Sequence, residues 1–350
     1  MAQKILNLKN KIIGKGKPIF IIAEAGVNHN NNLSLAFKMI DTAKKSGADA
    51  IKFQTFKVDK TQLKNSIKPN YQKSIRKNYY DIIKSLETNF NDQKKIFEYC
   101  KKKKILFLST PYDLDSADFL FELGVKAFKI SASDFTNHFL VEHVAKKRLP
   151  IFISTGLSSW KDVDSTINLL KKHNMLHKTI LMQTTSDYPS KYDEINLRVI
   201  PEFSKKYDVL TGFSDHTPND LASLGAIALG SCTVEKHFTL DKNLPGPDQS
   251  SSLNPLELTQ WVNKIRIMEK LLGTNKKYIT KSEKKNLSMK KILVLTPALK
   301  DTKITLKHLL SLRGNKNGVS PLSENIKKII GKKLKKNITK NTQFSWKLVR

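Results

Sequence analysis

Eight short apolar runs alternate with eight amphipathic helical patterns between residues 19 and 272, and this alternation constrains the fold more than any other feature of the sequence. The predicted strands are Ile19–Ala23, Ala50–Gln54, Leu106–Ser109, Ala127–Ile130, Ile151–Ser154, Thr179–Gln183, Val209–Phe213 and Thr233–Lys236. The predicted helices are Leu33–Ser46, Asn91–Lys103, Asp115–Leu123, Phe139–Lys147, Lys161–His173, Leu197–Tyr207, Leu221–Leu229 and Pro255–Leu272. Strands that are apolar throughout indicate a parallel sheet with both faces covered. Eight such units in tandem predict an α/β fold, a closed (β/α)8 or TIM barrel.

Two segments of the barrel region fall outside this repeat. Residues 5–13 are apolar on either side of a turn at Asn10, which predicts a small hairpin that closes the bottom of the barrel. Residues 57–88 are polar and rich in tyrosine, which predicts an insertion after the second strand that folds over the mouth of the barrel.

A change of composition marks the end of the barrel domain, which we expect to occupy residues 1–272. Residues 273–290 are rich in lysine and asparagine and are typical of a linker. Residues 291–350 then have β-branched stretches, turn signals and one short helix, Leu322–Ile330. This pattern predicts a small second domain.

The chain is strongly basic, with 62 Lys and Arg residues against 31 Asp and Glu residues. Only six of the basic residues are arginines. A nucleic-acid-binding surface favours Arg interleaved with aromatic residues, because the guanidinium contacts bases and phosphates bidentately. Lysines scattered over helix faces favour a solvated surface instead. A basic nucleic-acid-binding protein is the alternative class.

The sequence shows no signal for a membrane or an oxidising compartment. No apolar run approaches the roughly 18 residues that a membrane helix needs. The first residues lack the apolar segment of a secretory signal. Cys100 and Cys232 lie in unrelated contexts, which indicates neither a disulfide framework nor a cysteine zinc site. We therefore expect a cytoplasmic protein whose partners include neither nucleic acid nor membrane.

Polar residues occur at the carboxyl ends of all eight predicted strands, where the active sites of barrel enzymes lie. They are Glu24, Asn28, His29, Lys52, Gln54, Thr110, Lys129, Ser131, Ser133, Ser154, Thr185, Ser186, Ser214, His216, Glu235 and His237. Their recurrence in every unit predicts a single site.

Two histidines at neighbouring strand ends suggest a metal site. Side chains alternate along a strand, so His216 faces the same way as Ser214, and His237 the same way as Glu235. Two isolated histidines more often form hydrogen bonds without a metal. Because adjacent parallel strands lie about 4.8 Å apart, however, these two imidazoles are placed to share one divalent ion with open positions. Mn²⁺ suits such a site best, with Mg²⁺ or Co²⁺ as alternatives.

Two lysines on predicted strands indicate an anionic ligand. Lys52 and Lys129 occupy buried positions, where an unpaired ammonium is costly, so a bound anion is expected to compensate them. Hydroxyl donors for phosphate oxygens follow other strands: Thr110, Ser154, Ser186 and Ser214. The sequence contains no glycine-rich nucleotide-binding loop. A small phosphate ester that also carries a carboxylate fits these residues.

Several longer motifs resemble the sialic-acid (nonulosonic acid) synthase family. They are IIAEAGVNHNNNLSLAFKMID, GADAIKFQTFK, FLSTPYDLDSADFL, FKISASD, PIFISTGLSS, TSDYPSKYDEINLR, GFSDHTPNDLASLGAIALG and VEKHFTLDKNLPGPDQSSSLNP. The family condenses phosphoenolpyruvate with an N-acylated hexosamine, so the resemblance implies a transferase. The tail, with LRGNKNGVSP and IIGKKLKKNI, resembles the family's antifreeze-like (SAF, β-clip) domain.

The resemblance also implies roles for individual residues. Phosphoenolpyruvate would be bound by Lys52, Thr110, Lys129, Ser131, Ser133, Ser154, Ser186 and Ser214. The catalytic residues would be Glu24, His216, His237 and Asp248, with His216 and His237 as metal ligands. The sugar would contact Gln54, Tyr188, Asp248 and Arg313, the last reaching across a domain-swapped homodimer. The chain departs from the family pattern at Ala132, where a serine is usual, and Ser131 and Ser133 are expected to replace it.

The acceptor sugar follows least directly from the motifs. N-acetylmannosamine, which gives N-acetylneuraminate, is the first expectation. The KFQTFK and YQKS stretches resemble equally the N,N'-diacetyllegionaminate synthases, which use a diacetamido hexose. Pseudaminate synthases are less similar there.

Overall fold

Eight parallel strands form a nearly closed barrel in a computed structural model that describes residues 5–8, 10–69, 78–314 and 317–350. They are β3 (Phe20–Gly26), β4 (Ala50–Thr55), β5 (Leu106–Pro111), β6 (Phe128–Ile130), β7 (Ile151–Ser154), β8 (Thr179–Gln183), β9 (Leu210–Asp215) and β10 (Thr233–His237). Their order is β5-β4-β3-β10-β9-β8-β7-β6, and the barrel closes where β5 and β6 come side by side. The predicted (β/α)8 fold is confirmed. Each strand begins within one residue of its predicted start.

Helices follow the strands and cover the outside of the barrel. The barrel helices are α1 (Leu33–Lys45), α4 (Phe90–Lys103), α5 (Leu114–Leu123), α6 (His138–Lys146), α7 (Trp160–Lys172), α8 (Val199–Tyr207), α9 (Leu221–Ala228) and α10 (Pro255–Leu272). Two shorter helices, α2 (Val58–Thr61) and α3 (Tyr79–Leu86), lie in the insertion after β4. Side-chain caps start several helices; in α10, Asn254 and Glu257 form a capping box on either side of Pro255. Each cap fixes the residue at which its helix begins, and so also the residue at which the preceding loop at the mouth ends.

The lower half of the barrel interior is apolar and closed by a hairpin. The strands β1 (Ile5–Leu8) and β2 (Lys11–Gly14) pair antiparallel, as the sequence predicts. Leu6, Leu8 and Ile13 of this hairpin are buried in one cluster with strand residues such as Phe20 and Phe152, whose rings stack with centroids 5.8 Å apart. The hairpin thus covers the end of the barrel opposite the mouth.

The described part of the insertion packs at the carboxyl ends of the strands. Val58 of α2 and Ile82 and Leu86 of α3 form a small cluster with Val27 and Phe56, which follow β3 and β4. This position agrees with the predicted insertion near the mouth. Residues 70–77, including the YQKS stretch, lie outside the described residues.

The chain divides into two units, Met1–Gly273 and Thr274–Arg350. The second unit contains α11 (Lys281–Lys285), β11 (Lys291–Leu295), β12 (Leu309–Arg313), α12 (Ser323–Ile329) and β13 (Thr342–Gln343). Its strands form an antiparallel sheet in the order β12-β11-β13 over a core of its own. The segment expected to be a linker contains α11, which is capped by Thr280.

Two further findings concern membranes and thiols. In the described part of the chain, no helix combines the length and the apolar character that crossing a bilayer requires. Cys100 and Cys232 are both buried free thiols.

Candidate active site

A small pocket opens at the carboxyl ends of the barrel strands and collects residues from all eight. Its lining comprises Glu24, Lys52, Gln54, Thr110, Tyr112, Lys129, Ser131, Ala132, Ser154, Thr184, Tyr188, Ser214, His216, Glu235 and His237. Most of the predicted site residues therefore lie together. The alternation of side chains along β9 and β10 gives the expected result, because Ser214, His216, Glu235 and His237 all face this pocket.

Two buried ammonium groups form the cationic side of the pocket, and each is paired with a hydroxyl. Lys52 Nζ donates to Thr110 Oγ1 at 3.1 Å, and Lys129 Nζ donates to Ser154 Oγ at 2.8 Å. Each pair joins one strand to the next, β4 to β5 and β6 to β7. Such ammonium–hydroxyl pairs supply several directed donors to one anion.

Two buried carboxylates balance these ammonium groups. Lys52 Nζ lies 2.8 Å from Glu24 Oε1 and 3.5 Å from Glu235 Oε1, while Lys129 Nζ lies 3.6 Å from Glu235 Oε1. The lysines are therefore compensated within the protein itself, while the expected bound anion stays a prediction. Ser214 Oγ also donates to Glu235 Oε1 at 3.2 Å. One carboxylate oxygen is therefore in contact with this hydroxyl and with both ammonium groups. An entering anion must share the lysines with these carboxylates.

Burial and the neighbouring charges shift the pKa of each group in this cluster. Burial raises the pKa of Glu24 to about 7, although Lys52 opposes the shift. Burial opposes ionisation of Glu235, but Lys129 and Lys52 outweigh it and hold the pKa of Glu235 below its usual range. Burial lowers the pKa of Lys129 to about 8, whereas the two glutamates keep the pKa of Lys52 raised. Glu24 is thus the carboxyl group placed to exchange a proton near neutral pH.

The two imidazoles lie side by side on the other wall of the pocket. Their ring centroids are 5.7 Å apart, and the Tyr188 ring packs against both, at 4.0 Å from His216 and 5.6 Å from His237. His216 Nδ1 donates to the carbonyl oxygen of Thr185 at 2.7 Å, which leaves Nε2 with a free electron pair. Burial lowers the pKa of His216 to about 4 and that of His237 well below its usual value.

These features fit a divalent metal ion. Metal-binding imidazoles must be neutral, and the lowered pKa values keep both rings neutral at pH 7. His237 Nδ1 is buried and has no hydrogen-bond partner among the described residues. The same part of the chain contains no group of three or more His, Cys, Asp or Glu side chains that could hold a metal. The two rings would therefore supply two ligands and leave further positions for substrate or water.

Of the residues to which the resemblance assigns a role, four lie outside this pocket. Ser133 is exposed, and its hydroxyl bonds to Ser131 at 2.8 Å and to Asp134 at 3.3 Å, so of the two serines expected to replace Ala132 only Ser131 lines the pocket. Ser186 lines an adjacent open groove. The Ser186 hydroxyl lies so close to Gly156 that a side chain at position 156 would collide with it. Asp248 is buried in the loop after β10, and burial raises its pKa to about 6. Arg313 ends β12 in the second unit and is exposed.

Glu235 is a pocket residue to which the sequence interpretation gave no role. It contacts Lys52, Lys129 and Ser214, which belong to three different strands. The available signal was its position two residues before His237, which places both side chains on one face. The pairing itself spans the barrel and has no signature in the local sequence.

Comparisons with known proteins extend over nearly the whole chain. A family model described as the NeuB family matches residues 39–277. An N,N'-diacetyllegionaminic acid synthase from Legionella pneumophila is 36% identical, covering 98% of this chain and 98% of its own. A synthase of the same description from Campylobacter jejuni is 39% identical, covering 87% of this chain and 93% of its own. The crystal structure of an N-acetylneuraminic acid (sialic acid) synthetase from Leptospira borgpetersenii in complex with citrate superposes with a TM-score of 0.73 at 32% identity, covering 82% of this chain and 96% of that chain.

Proposed function

The chain belongs to the NeuB family of nonulosonic acid synthases, and from that premise we propose that it condenses phosphoenolpyruvate with a diacetamido hexose and releases phosphate. The observation that carries the proposal is the pocket itself. Two ammonium–hydroxyl pairs lie on one wall and two neutral imidazoles on the other, all at the carboxyl ends of the strands. The first wall suits a phosphate ester with a carboxylate, and the second suits an acceptor aldehyde.

The chemistry that this pocket supports begins with formation of a carbon–carbon bond. The methylene carbon of phosphoenolpyruvate attacks the aldehyde carbon of the open-chain sugar, and the aldehyde oxygen takes up a proton. Water then adds to the former enol carbon and loses a proton. The tetrahedral intermediate finally expels phosphate by cleavage of its carbon–oxygen bond, while its hydroxyl group gives up a proton and becomes the keto oxygen. An ion held by His216 and His237, with Mn²⁺ the first candidate and Mg²⁺ or Co²⁺ alternatives, would supply Lewis acidity toward the aldehyde oxygen.

The protein's own residues orient the anion and move protons. Lys52 and Lys129, each bonded to a hydroxyl, hold the phosphate and carboxylate groups in place, which is a positioning and electrostatic role. Glu24 is the proton-transfer group in this proposal, because its carboxyl group lines the pocket and its pKa lies near 7. Asp248 does not line the pocket, so we assign it no proton-transfer step. We propose that it contacts the sugar, together with Gln54 and Tyr188.

The acceptor is proposed from the relatives. Both legionaminic acid synthases are more similar to this chain than the Leptospira sialic acid synthetase is, by 36% and 39% identity against 32%. This difference favours a diacetamido hexose over N-acetylmannosamine, which was the first expectation from sequence and remains the second candidate. The chemistry is the same with either sugar.

One assay tests both the chemistry and the acceptor. Protein is incubated with phosphoenolpyruvate, Mn²⁺ and either a diacetamido hexose, N-acetylmannosamine or N-acetylglucosamine, and phosphate release and product mass are followed. We expect phosphate and a nonulosonic acid in equal amounts, with the highest kcat/KM for the diacetamido sugar. A preference for N-acetylmannosamine would reverse the acceptor assignment alone. Absence of phosphate release with every acceptor, together with salt-sensitive retention on DNA or RNA, would support the rival nucleic-acid-binding class instead.

We also propose that the second unit is an antifreeze-like (SAF) domain whose Arg313 contributes to the site of the partner subunit in a swapped homodimer. The support is the tail's resemblance to that domain and the exposure of Arg313 at the end of β12; residues 315–316 of the adjoining turn lie outside the described residues. Mixing Arg313→Ala and His216→Ala subunits tests it. Mixed dimers regain activity if Arg313 acts across the interface, and they stay inactive if it acts within its own chain.

A further inference from the structure

A buried ion pair lies directly behind the two imidazoles. Lys236 Nζ is 3.1 Å from Asp215 Oδ1, and both side chains are almost fully excluded from solvent. Asp215 precedes His216 and Lys236 precedes His237, and the two charged residues are direct register partners of β9 and β10. Because side chains alternate along a strand, the pair points away from the pocket while the histidines point into it.

This pair ties down the backbone on both sides of His216. Asp215 Oδ1 accepts hydrogen bonds from the amide of Thr217 at 2.8 Å and from its hydroxyl at 2.7 Å. Lys236 Nζ donates to the carbonyl oxygen of Thr217 at 2.6 Å. The residues before and after His216 are therefore both bonded to the residue that precedes His237. A relative shift of the two imidazoles would break at least one of these bonds.

The pair is also anchored to the helices outside. Asp215 Oδ2 accepts from Ser223 Oγ of α9 at 2.5 Å, and Ser223 Oγ accepts from Trp261 Nε1 of α10 at 3.0 Å. A buried ion pair is rarely more stabilising than apolar residues of the same volume, and its best-attested use is to specify one geometry. We infer that Asp215 and Lys236 are positioning residues that set the separation and orientation of His216 and His237 for a shared divalent cation. The inference rests on the proposed function for its metal.

The direct test is the affinity of the metal itself. Titration calorimetry with Mn²⁺ on wild-type protein and on Asp215→Asn measures the dissociation constant without turnover. Outer residues that orient metal ligands typically change metal affinity by about 10- to 100-fold when mutated, and we expect a loss of about tenfold or more. Binding of phosphoenolpyruvate without metal should stay near the wild-type value, because Asp215 does not contact Lys52 or Lys129. Lys236→Arg, which keeps the charge, should retain more affinity than Lys236→Met.

Asp49→Asn is the matched control. Asp49 also joins a strand to a helix, accepting from the Ile21 amide at 2.9 Å and from Arg266 Nη2 of α10 at 2.8 Å. It lies at the amino end of β4, at the opposite end of the barrel from the imidazoles. Loss of the Asp49 carboxylate should lower the melting temperature and leave the Mn²⁺ affinity unchanged.

The outcomes separate this inference from the proposed function. Wild-type Mn²⁺ affinity in Asp215→Asn would overturn the inference while leaving the synthase proposal intact. No binding of Mn²⁺, Mg²⁺ or Co²⁺ by wild-type protein would overturn the inference, whereas phosphate release in the acceptor assay decides the synthase proposal separately. If Asp215→Asn does not fold, Thr217→Val removes the hydroxyl bond to Asp215 and the longer contact of the same hydroxyl with the carbonyl oxygen of Asn219 at 3.2 Å, and it leaves the backbone bonds of Thr217 in place. We expect a loss of about threefold in Mn²⁺ affinity at an unchanged melting temperature. An unchanged affinity in that folded variant would also contradict the inference.

Discussion

The two ends of the same eight strands are built from opposite kinds of residue. At the amino ends, Leu8 and Ile13 of the hairpin pack with Phe20 and Phe152 in a cluster of apolar side chains. At the carboxyl ends, two lysines and two glutamates are equally buried, and two histidines are partly buried. Three of their atoms, Glu24 Oε2, Glu235 Oε2 and His237 Nδ1, have no hydrogen-bond partner within the described ranges. Unsatisfied buried polar atoms cost free energy, and they commonly mark functional sites.

This contrast indicates a division of labour along the strands. Burial of the apolar end increases the free energy of unfolding. Burial of the polar end lowers the free energy of unfolding, and the rest of the fold compensates for that loss. Changes at the mouth should therefore remove activity and preserve stability, and changes at the bottom should do the reverse.

His216→Ala is the largest expected effect. Removing one of the two imidazoles should lower kcat/KM by about 10³-fold or more even in excess Mn²⁺, since the electrophilic assistance to the aldehyde is lost. The melting temperature should stay the same or rise, because substitutions of active-site residues often leave a protein more stable than the wild type. Steady-state phosphate release and thermal unfolding check both parts. His177→Ala, at an exposed histidine, is the control and should change neither.

Leu8→Ala should give the opposite result. A buried leucine replaced by alanine lowers the free energy of unfolding by about 2–5 kcal/mol, through lost burial and the cavity that remains. The kcat per folded molecule should stay close to the wild-type value, because the hairpin lies at the far end of the barrel. Urea unfolding and active-site titration measure the two quantities. A loss of kcat as large as that of His216→Ala would contradict the division between the two ends.

The change of activity with pH should be the smallest of the three effects, and it depends only on groups at the mouth of the barrel. In the free protein the pKa of Lys129 is lowered to about 8, so its ammonium group loses a proton as the pH rises through that value. The attraction to phosphoenolpyruvate then weakens, and kcat/KM, which reports the free enzyme, should fall by about tenfold per pH unit above pH 8. Arg keeps its charge throughout this range, so Lys129→Arg should move the decline to higher pH. The same decline in that variant would assign it to another group.

The sequence predicts the fold more completely than it predicts the site. Strand starts are recovered within one residue because turns and loops separate each apolar run from the helices around it. Alternation within one strand also places Ser214 with His216 correctly. The pairing of Glu235 with Lys52 and Lys129 is not predicted, because it joins strands that are distant in sequence and depends on the diameter of the barrel.

Smaller departures have local causes. Ser133 lies outside the pocket because the turn after β6 directs its hydroxyl to Ser131 and Asp134. The network behind the imidazoles is likewise invisible in sequence, since Thr217 and Ser223 are ordinary residues for a loop and a helix start. Their importance follows only from their bonds to Asp215.

In the proposed reaction, the mouth of this barrel joins phosphoenolpyruvate to a sugar and breaks the carbon–oxygen bond of the ester. Phosphoenolpyruvate that carries ¹⁸O in the bridging position tests it most directly, with the released phosphate analysed by mass spectrometry after a single turnover with a diacetamido hexose and Mn²⁺. Because the carbon–oxygen bond is the one that breaks, the phosphate should retain the label and the nonulosonic acid should contain none of it. Unlabelled phosphate, with the label in the sugar acid, would mean phosphorus–oxygen cleavage and would refute the proposed reaction.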